Sequence, residues 1–244
     1  MVTETKNFSS KLRWTFNRIN NMITSATLDF LTELAEHNER TWFEANKKRY
    51  EAAKKEVGAT VDALIAGTTA HDPNLAGLEG KQSLFRIFRD VRFSHNKAPY
   101  KTNMGAWMAQ GGRKSIFAGY YLHIEPGGKS FLAGGSYMPE APVLKAIRDD
   151  IDYQPEVFQE ILEAPQFKAY FGKLEGETLR TAPKGYAKDH PGIEYLKHKS
   201  FVVTRHLSDA EVRAPGFIPE AVATYAAMVP LIDFLNRAIQ ASQD

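Results

Sequence analysis

Cysteine is absent from all 244 residues. Disulfides, zinc–thiolate centres and cysteine nucleophiles are therefore excluded, and the composition suits a reducing cytoplasm, where the protein is expected to reside. No run of about 18 apolar residues occurs, so no membrane span is expected. Excess charge is missing too: 31 Lys and Arg against 29 Asp and Glu leave a net charge of only +2. Bulk-charge coating of nucleic acid is thereby excluded, and any such role needs a local basic patch. Internal repeats, low-complexity tracts and linkers long enough to force a domain boundary are also lacking. What remains is a composition 43% hydrophobic and 25% charged, with enough chain to bury one substantial core.

Residues 1–21 differ from the rest, with Lys6, Lys11, Arg13 and Arg18 against a single Glu4. They are expected to be a disordered tail or a mis-assigned start ahead of Met22, with a transit segment as the alternative. Residues 22–244 are expected to form one α+β domain. Leu28, Leu31, Leu34 and Ala35 have helical spacing. His37-Asn38 ends that helix, and Asn38 caps a longer one whose stripe is Phe43, Tyr50, Val57, Val61, Leu64 and Ile65. From about 84 to 136 the pattern becomes β: strands at 84–93, 104–108, 117–124 and 130–133, divided by Gly and Pro turns, predict an antiparallel meander. An acidic helical region follows at 140–163. Later come a short strand at 178–181, a helix opening near Pro191, a strand at 201–207 and a closing helix at 219–238. Pro230 is expected to kink or divide that last helix.

The segment 84–101 carries the most chemistry. Arg86, Arg89, Arg92, Lys97 and Lys101 stand among Phe85, Ile87, Phe88, Val91 and Phe93, with only Asp90 opposing them. Partly buried guanidinium groups need a carboxylate, a carbonyl or a bound anion. As a strand, 84–93 would place Arg86, Asp90 and Arg92 on one face and turn Arg89 toward the apolar one. Asp90 would then orient the arginines, and Lys97, Tyr100 and Lys101 would complete a phosphate cradle. The alternative is an internal ion-pair network tying these cations to the acidic helices at 149–163.

These residues resemble a known signature. Arg86-x-x-Arg89-Asp90-x-Arg92-Phe93 followed by Asn96-Lys97-x-x-Tyr100 is similar to the pattern of the mostly bacterial domain of unknown function 2461 family. Asn38-x-x-x-Trp42-Phe43-x-x-Asn46-Lys47-x-x-Tyr50 extends the resemblance upstream. Gly119-Tyr120-Tyr121, Gly134-Gly135, Pro183-Lys184-Gly185-Tyr186 and Asp189-His190-Pro191 extend it downstream. The family pattern often has Asp where this chain has Asn96, which argues against a catalytic carboxylate there. The resemblance implies a single α+β domain and no known activity.

Two further groups stand out. Arg180 to His206 is rich in Lys, Arg and His, and its Pro183-Lys184-Gly185-Tyr186 turn would let backbone amides approach an anion. Taken alone, a solvated basic face with a turn is the plainer reading. His123 and Glu125 share a strand face with Tyr121, which suits acid–base work, although a solvated strand face is the plainer reading. Gly128-Lys129-Ser130 lacks the upstream glycine of a phosphate-binding loop, and no metal site or cofactor is expected. Trp42-Phe43, Tyr120-Tyr121 and Trp107 read as core before they read as a stacking platform.

The leading expectation is a protein that binds a phosphorylated or otherwise anionic small molecule through Arg86, Arg89, Arg92, Lys97, Tyr100, Lys101 and Lys184. An alternative makes it a hydrolase or transferase on such a ligand, with Asp90 or His123 as general base. A nucleic-acid-binding module using the two basic segments is a weaker third reading.

Overall fold

The computed structural model describes residues 23–243, so the expectation for 1–21 lies outside the described residues. Helix α1 (Ser25–Glu36) buries Leu28, Phe30, Leu31 and Leu34, and the chain turns at His37. The predicted second helix is divided. Helix α2 (Arg40–Ala45) ends at Asn46, and α3 (Lys47–Thr68) carries the remaining stripe. Every residue predicted for that stripe, from Phe43 to Ile65, is buried. Asp72 caps a single 3-10 turn (Pro73–Leu75) by accepting from the Asn74 N–H, and a short helix α4 (Gly80–Ser83) leads to the cationic segment.

The sheet begins later than predicted. Strands β1 (Met104–Ala109), β2 (Gly119–Ile124), β3 (Ser130–Ser136) and β4 (Phe201–Leu207) form one antiparallel sheet in chain order. Residues 84–93 are not a regular strand. Leu84 bridges to Ala106 and Phe88 to Tyr100, and between these isolated bridges the chain runs as an irregular arm folded on itself. The physical reason is local: Asp90 accepts from the Arg92 N–H and clasps its guanidinium, which bends the tip away from a ladder.

Helices α5 (Ala141–Tyr153), α6 (Pro155–Glu163) and α7 (Pro165–Phe171) fill the acidic region, with a proline opening α6 and α7. The predicted 178–181 strand is only a bridge from Thr178 to His198, and the helix near Pro191 is one turn, α8 (Ile193–Leu196). A capping box at Ser208 and Glu211 starts α9 (Asp209–Arg213). The closing helix α10 (Phe217–Ala241) runs unbroken through Pro230. By length and composition α10 could cross a membrane, yet it lies beneath the sheet with Tyr225, Met228, Leu231, Phe234 and Leu235 buried.

The helices gather on one face of the sheet. Tyr120, Leu122 and Ile124 of β2 point into that core with Met104, Ala106, Met108, Leu132 and Val203. Gly134 faces Met228, so the missing side chain lets α10 approach closely. The Tyr225 hydroxyl donates to the Tyr121 carbonyl at 3.0 Å and ties α10 to β2. The opposite face of the sheet is left open to a groove.

Candidate functional site

Strand alternation puts two cross-strand rows on the open face. One row is Trp107, Tyr121, Ala133 and Thr204; the other is Gly105, His123, Phe131 and His206. Ala133 and Gly105 are small, which leaves room above the sheet. A groove of about 850 Å³ opens there, within the roughly 300–1,000 Å³ typical of ligand sites. Its floor includes Trp107, Tyr121, Phe131 and Ala133; Phe85 and Lys101 form one wall, and the turn at Arg113 and Lys114 another. Tyr137 and Met138 are exposed on the rim. Met138 holds φ at 45°, the only non-glycine residue of positive φ among the described residues.

Phe85 lies between two positive charges. The Lys101 ammonium sits 5.2 Å from its ring centroid and the Arg113 guanidinium 5.6 Å. Arg113 also donates to the Leu84 carbonyl. Burial lowers the Lys101 pKa, and the nearby Arg86 and Arg113 charges lower it further. Among the described residues, no carboxylate forms an ion pair with Arg86, Lys101 or Arg113. Lys101 and Arg113 thus meet at the groove wall with no ion-paired carboxylate, while Arg86 lies close by and feels the Asp90 charge, and Glu140 and Glu175 line the groove elsewhere.

The predicted site residues divide across the arm. Lys101 reaches the groove wall, and Arg86 is exposed close by. Arg89 folds back on its own arm and donates to the Ala98 carbonyl at 3.0 Å. Arg92 is spent on Asp90, its Nη2 lying 2.6 Å from Oδ2, and both side chains face solvent. That pairing holds the Asp90 carboxyl below the usual range, with the Arg92 hydrogen bonds its largest cause. Lys97 donates to the Val91 carbonyl at 3.0 Å. Tyr100 is buried rather than displayed in a loop, its ring stacked on Phe43 at 4.0 Å. Alternation about the Phe88–Tyr100 bridge sends Tyr100 inward and its neighbour Lys101 toward the groove. Lys184 is exposed on a separate turn, outside the groove lining.

The alternative of an ion-pair network to the acidic helices is also not what forms. Asp149 meets Lys145 and accepts from the Tyr186 hydroxyl at 2.9 Å. Asp150 pairs with Arg237 at 3.4 Å, Asp152 with His190 at 3.2 Å, and Glu163 with Lys168. The Pro183 to His190 turn therefore docks on α5, and the arm's arginines stay apart from these acids.

From Tyr121 on the groove floor a chain of contacts runs to His123 and Glu125, which lie outside the groove lining. The Tyr121 hydroxyl is 3.1 Å from His123 Nδ1, and His123 Nε2 is 2.9 Å from Glu125 Oε2. His123 stacks on Phe131 with centroids 4.5 Å apart and planes 12° from parallel. Burial, with the Glu125 charge second, pushes the Tyr121 pKa up to about 12. Gly105 makes room for this phenol, since a Cβ there would collide with the Tyr121 hydroxyl.

A model of the family described as conserved hypothetical protein (DUF2461) matches residues 26–234, most of the chain. The chain belongs to the DUF2461 family. No curated protein and no solved structure matches it. Within this DUF2461 domain, the residues missed by sequence reasoning were Arg113 and Lys114. Their signal was faint: a basic pair directly after the Gly111-Gly112 turn, where φ is 77° and 87°. Trp107, read as core, lines the groove, while Phe43 and Tyr120 of the same aromatic set are buried as expected.

Proposed function

We propose that this DUF2461 protein binds a small anionic ligand, a phosphorylated one in first place, in the groove on the open face of its sheet. Lys101 and Arg113, with Arg86 beside them, hold the anion. Trp107, Tyr121 and Phe131 give the rest of the ligand an apolar bed. One observation carries this reading: cations crowd one another around Phe85 without a carboxylate partner. Like charges held together cost free energy that a bound anion would recover. The lack of cysteine suits a cytoplasmic setting, where we place this activity.

A nucleic-acid platform has less behind it. Lys197, Lys199 and Arg205 are paired with Glu194, Glu177 and Glu220 at 2.6, 2.6 and 2.7 Å, so the second basic segment is largely neutralised.

A thermal-shift panel of sugar phosphates, nucleotides, polyphosphates and simple carboxylates tests the proposal. A ligand at one hundred times its Kd adds about 2.7 kcal/mol to the folded state. The expected result is a rise of several degrees with at least one phosphorylated compound, absent in Lys101→Met. A panel-wide failure to shift the wild-type protein would sink the reading.

A further inference from the structure

We propose that Tyr121 is a catalytic hydroxyl, with His123 as its proton acceptor and Glu125 as the group that orients and steadies His123. This makes the groove an acid–base site acting on the bound anion, and it rests on the anion-binding reading above.

The geometry is that of a relay. Glu125 Oε2 lies 2.9 Å from His123 Nε2, so Nε2 carries a proton and donates it to the carboxylate. Nδ1 of the neutral ring is then the acceptor, and the Tyr121 hydroxyl, 3.1 Å away, is its donor. Tyr121 and His123 lie on one face of β2, and Glu125 follows just past the end of that strand, so the sheet and its turn fix their order. Phe131 stacked on the imidazole holds the ring plane. His123 and Glu125 are largely covered, with side chains 12% and 20% exposed, whereas Tyr121 lines the groove. A ligand therefore meets the phenol, and the imidazole acts through it. Burial keeps the phenol protonated near neutral pH, so its proton is present to be passed on. The charged or titratable groups facing His123 are Glu125, whose Oε1 lies 3.7 Å from the Lys129 ammonium, and His206 across Phe131. A merely solvated strand face would need none of this enclosure.

In the forward step an acidic C–H or O–H bond of the ligand breaks, and its electron pair stays on the ligand. Its proton goes to Tyr121 Oη while the phenolic proton passes to His123 Nδ1. The imidazolium so formed is balanced by Glu125. The negative charge left on the ligand faces Lys101 and Arg113. Reversal returns the proton to the ligand.

The same Oη-to-Nδ1 transfer can be read without knowing the ligand. In the reaction with 4-(fluorosulfonyl)benzoate, an oxygen–sulfur bond forms at Tyr121 Oη and the sulfur–fluorine bond breaks. Fluoride leaves with the electron pair, and the phenolic proton goes to His123. Labelling is followed by intact mass and peptide mapping as a function of probe concentration and pH.

The expected result is one adduct, on Tyr121, at a rate that saturates with the probe. His123→Gln should lower the limiting rate at least tenfold without moving the half-saturating concentration. It should also abolish the slowing of labelling on acidification that the wild-type imidazole imposes. Glu125→Gln should act in the same direction, so the test survives if His123→Gln fails to fold. An unlabelled Tyr121, or one labelled at the wild-type limiting rate in a folded variant of His123 and of Glu125, overturns the relay. The anion reading fails separately. In that case benzenesulfonyl fluoride, which lacks the carboxylate, saturates at the same concentration, and Lys101→Met changes nothing while the dependence on His123 persists.

Discussion

At the residue scale, the proposed function makes Lys101 the residue that trades stability for binding. Its charge is disfavoured by burial and by Arg86 and Arg113, so its folded pKa lies below its unfolded value. Between those two values the unfolded chain holds more protons, and stability rises with pH across that window. Below the window the cost is present in full. Lys101→Met should therefore raise Tm at neutral pH by about 1–3 °C while removing anion binding. The gain should fade at pH above the ordinary lysine range. Paired differential scanning calorimetry at neutral and alkaline pH measures both. A drop in Tm at neutral pH would show that Lys101 is satisfied within the fold. Sequence reading found this residue because it stands in a cation-rich stretch. It could not find Arg113, which comes to the same ring only through the turn between β1 and β2.

At the scale of elements, backbone fit decides the sheet and local hydrogen bonds decide the arm. Gly135 holds φ at 123°, and a Cβ there would run into the Phe201 carbonyl oxygen of β4. A Cβ at Gly134 would meet the flexible Met228 side chain and come within 3.2 Å of the Gly119 carbonyl oxygen, a milder approach to backbone. Gly135→Ala should cost more than about 3 kcal/mol in urea unfolding, and Gly134→Ala clearly less. Equal effects would contradict the assigned register of β3 and β4. In the arm, Arg92 and Asp90 form an exposed pair, and such pairs contribute little. Arg92→Gln should leave both Tm, within about a degree, and anion binding unchanged. Lost binding in that variant would mean the arm tip folds over the groove.

Strands β1 to β4 and the long helices were legible because alternation and helical spacing report burial directly. The arm was not, because its alternation of Phe and Arg imitates a strand. Asp90 closing on Arg92, and Arg89 closing on Ala98, satisfy the same polar groups without a ladder. Likewise Tyr100 looked like a loop residue in sequence, and stacking on Phe43, distant in the chain, buries it.

For the whole molecule, α10 and α3 cover one face of the sheet and leave the groove on the other face open. The family match spans nearly all of this architecture, so fold and groove belong to one unit. The acidic helices pair with the 183–199 region and with α10, and on the proposed reading the cations around Phe85 are met by an anion in the groove. A lysine Cε NMR titration, with Lys101 assigned by its Met variant and run with and without a phosphate monoester from the panel, tests that claim most directly. The account predicts that Lys101 titrates below the other lysines and moves upward when the phosphate is added. A Lys101 that titrates with the exposed lysines and ignores the phosphate would contradict it.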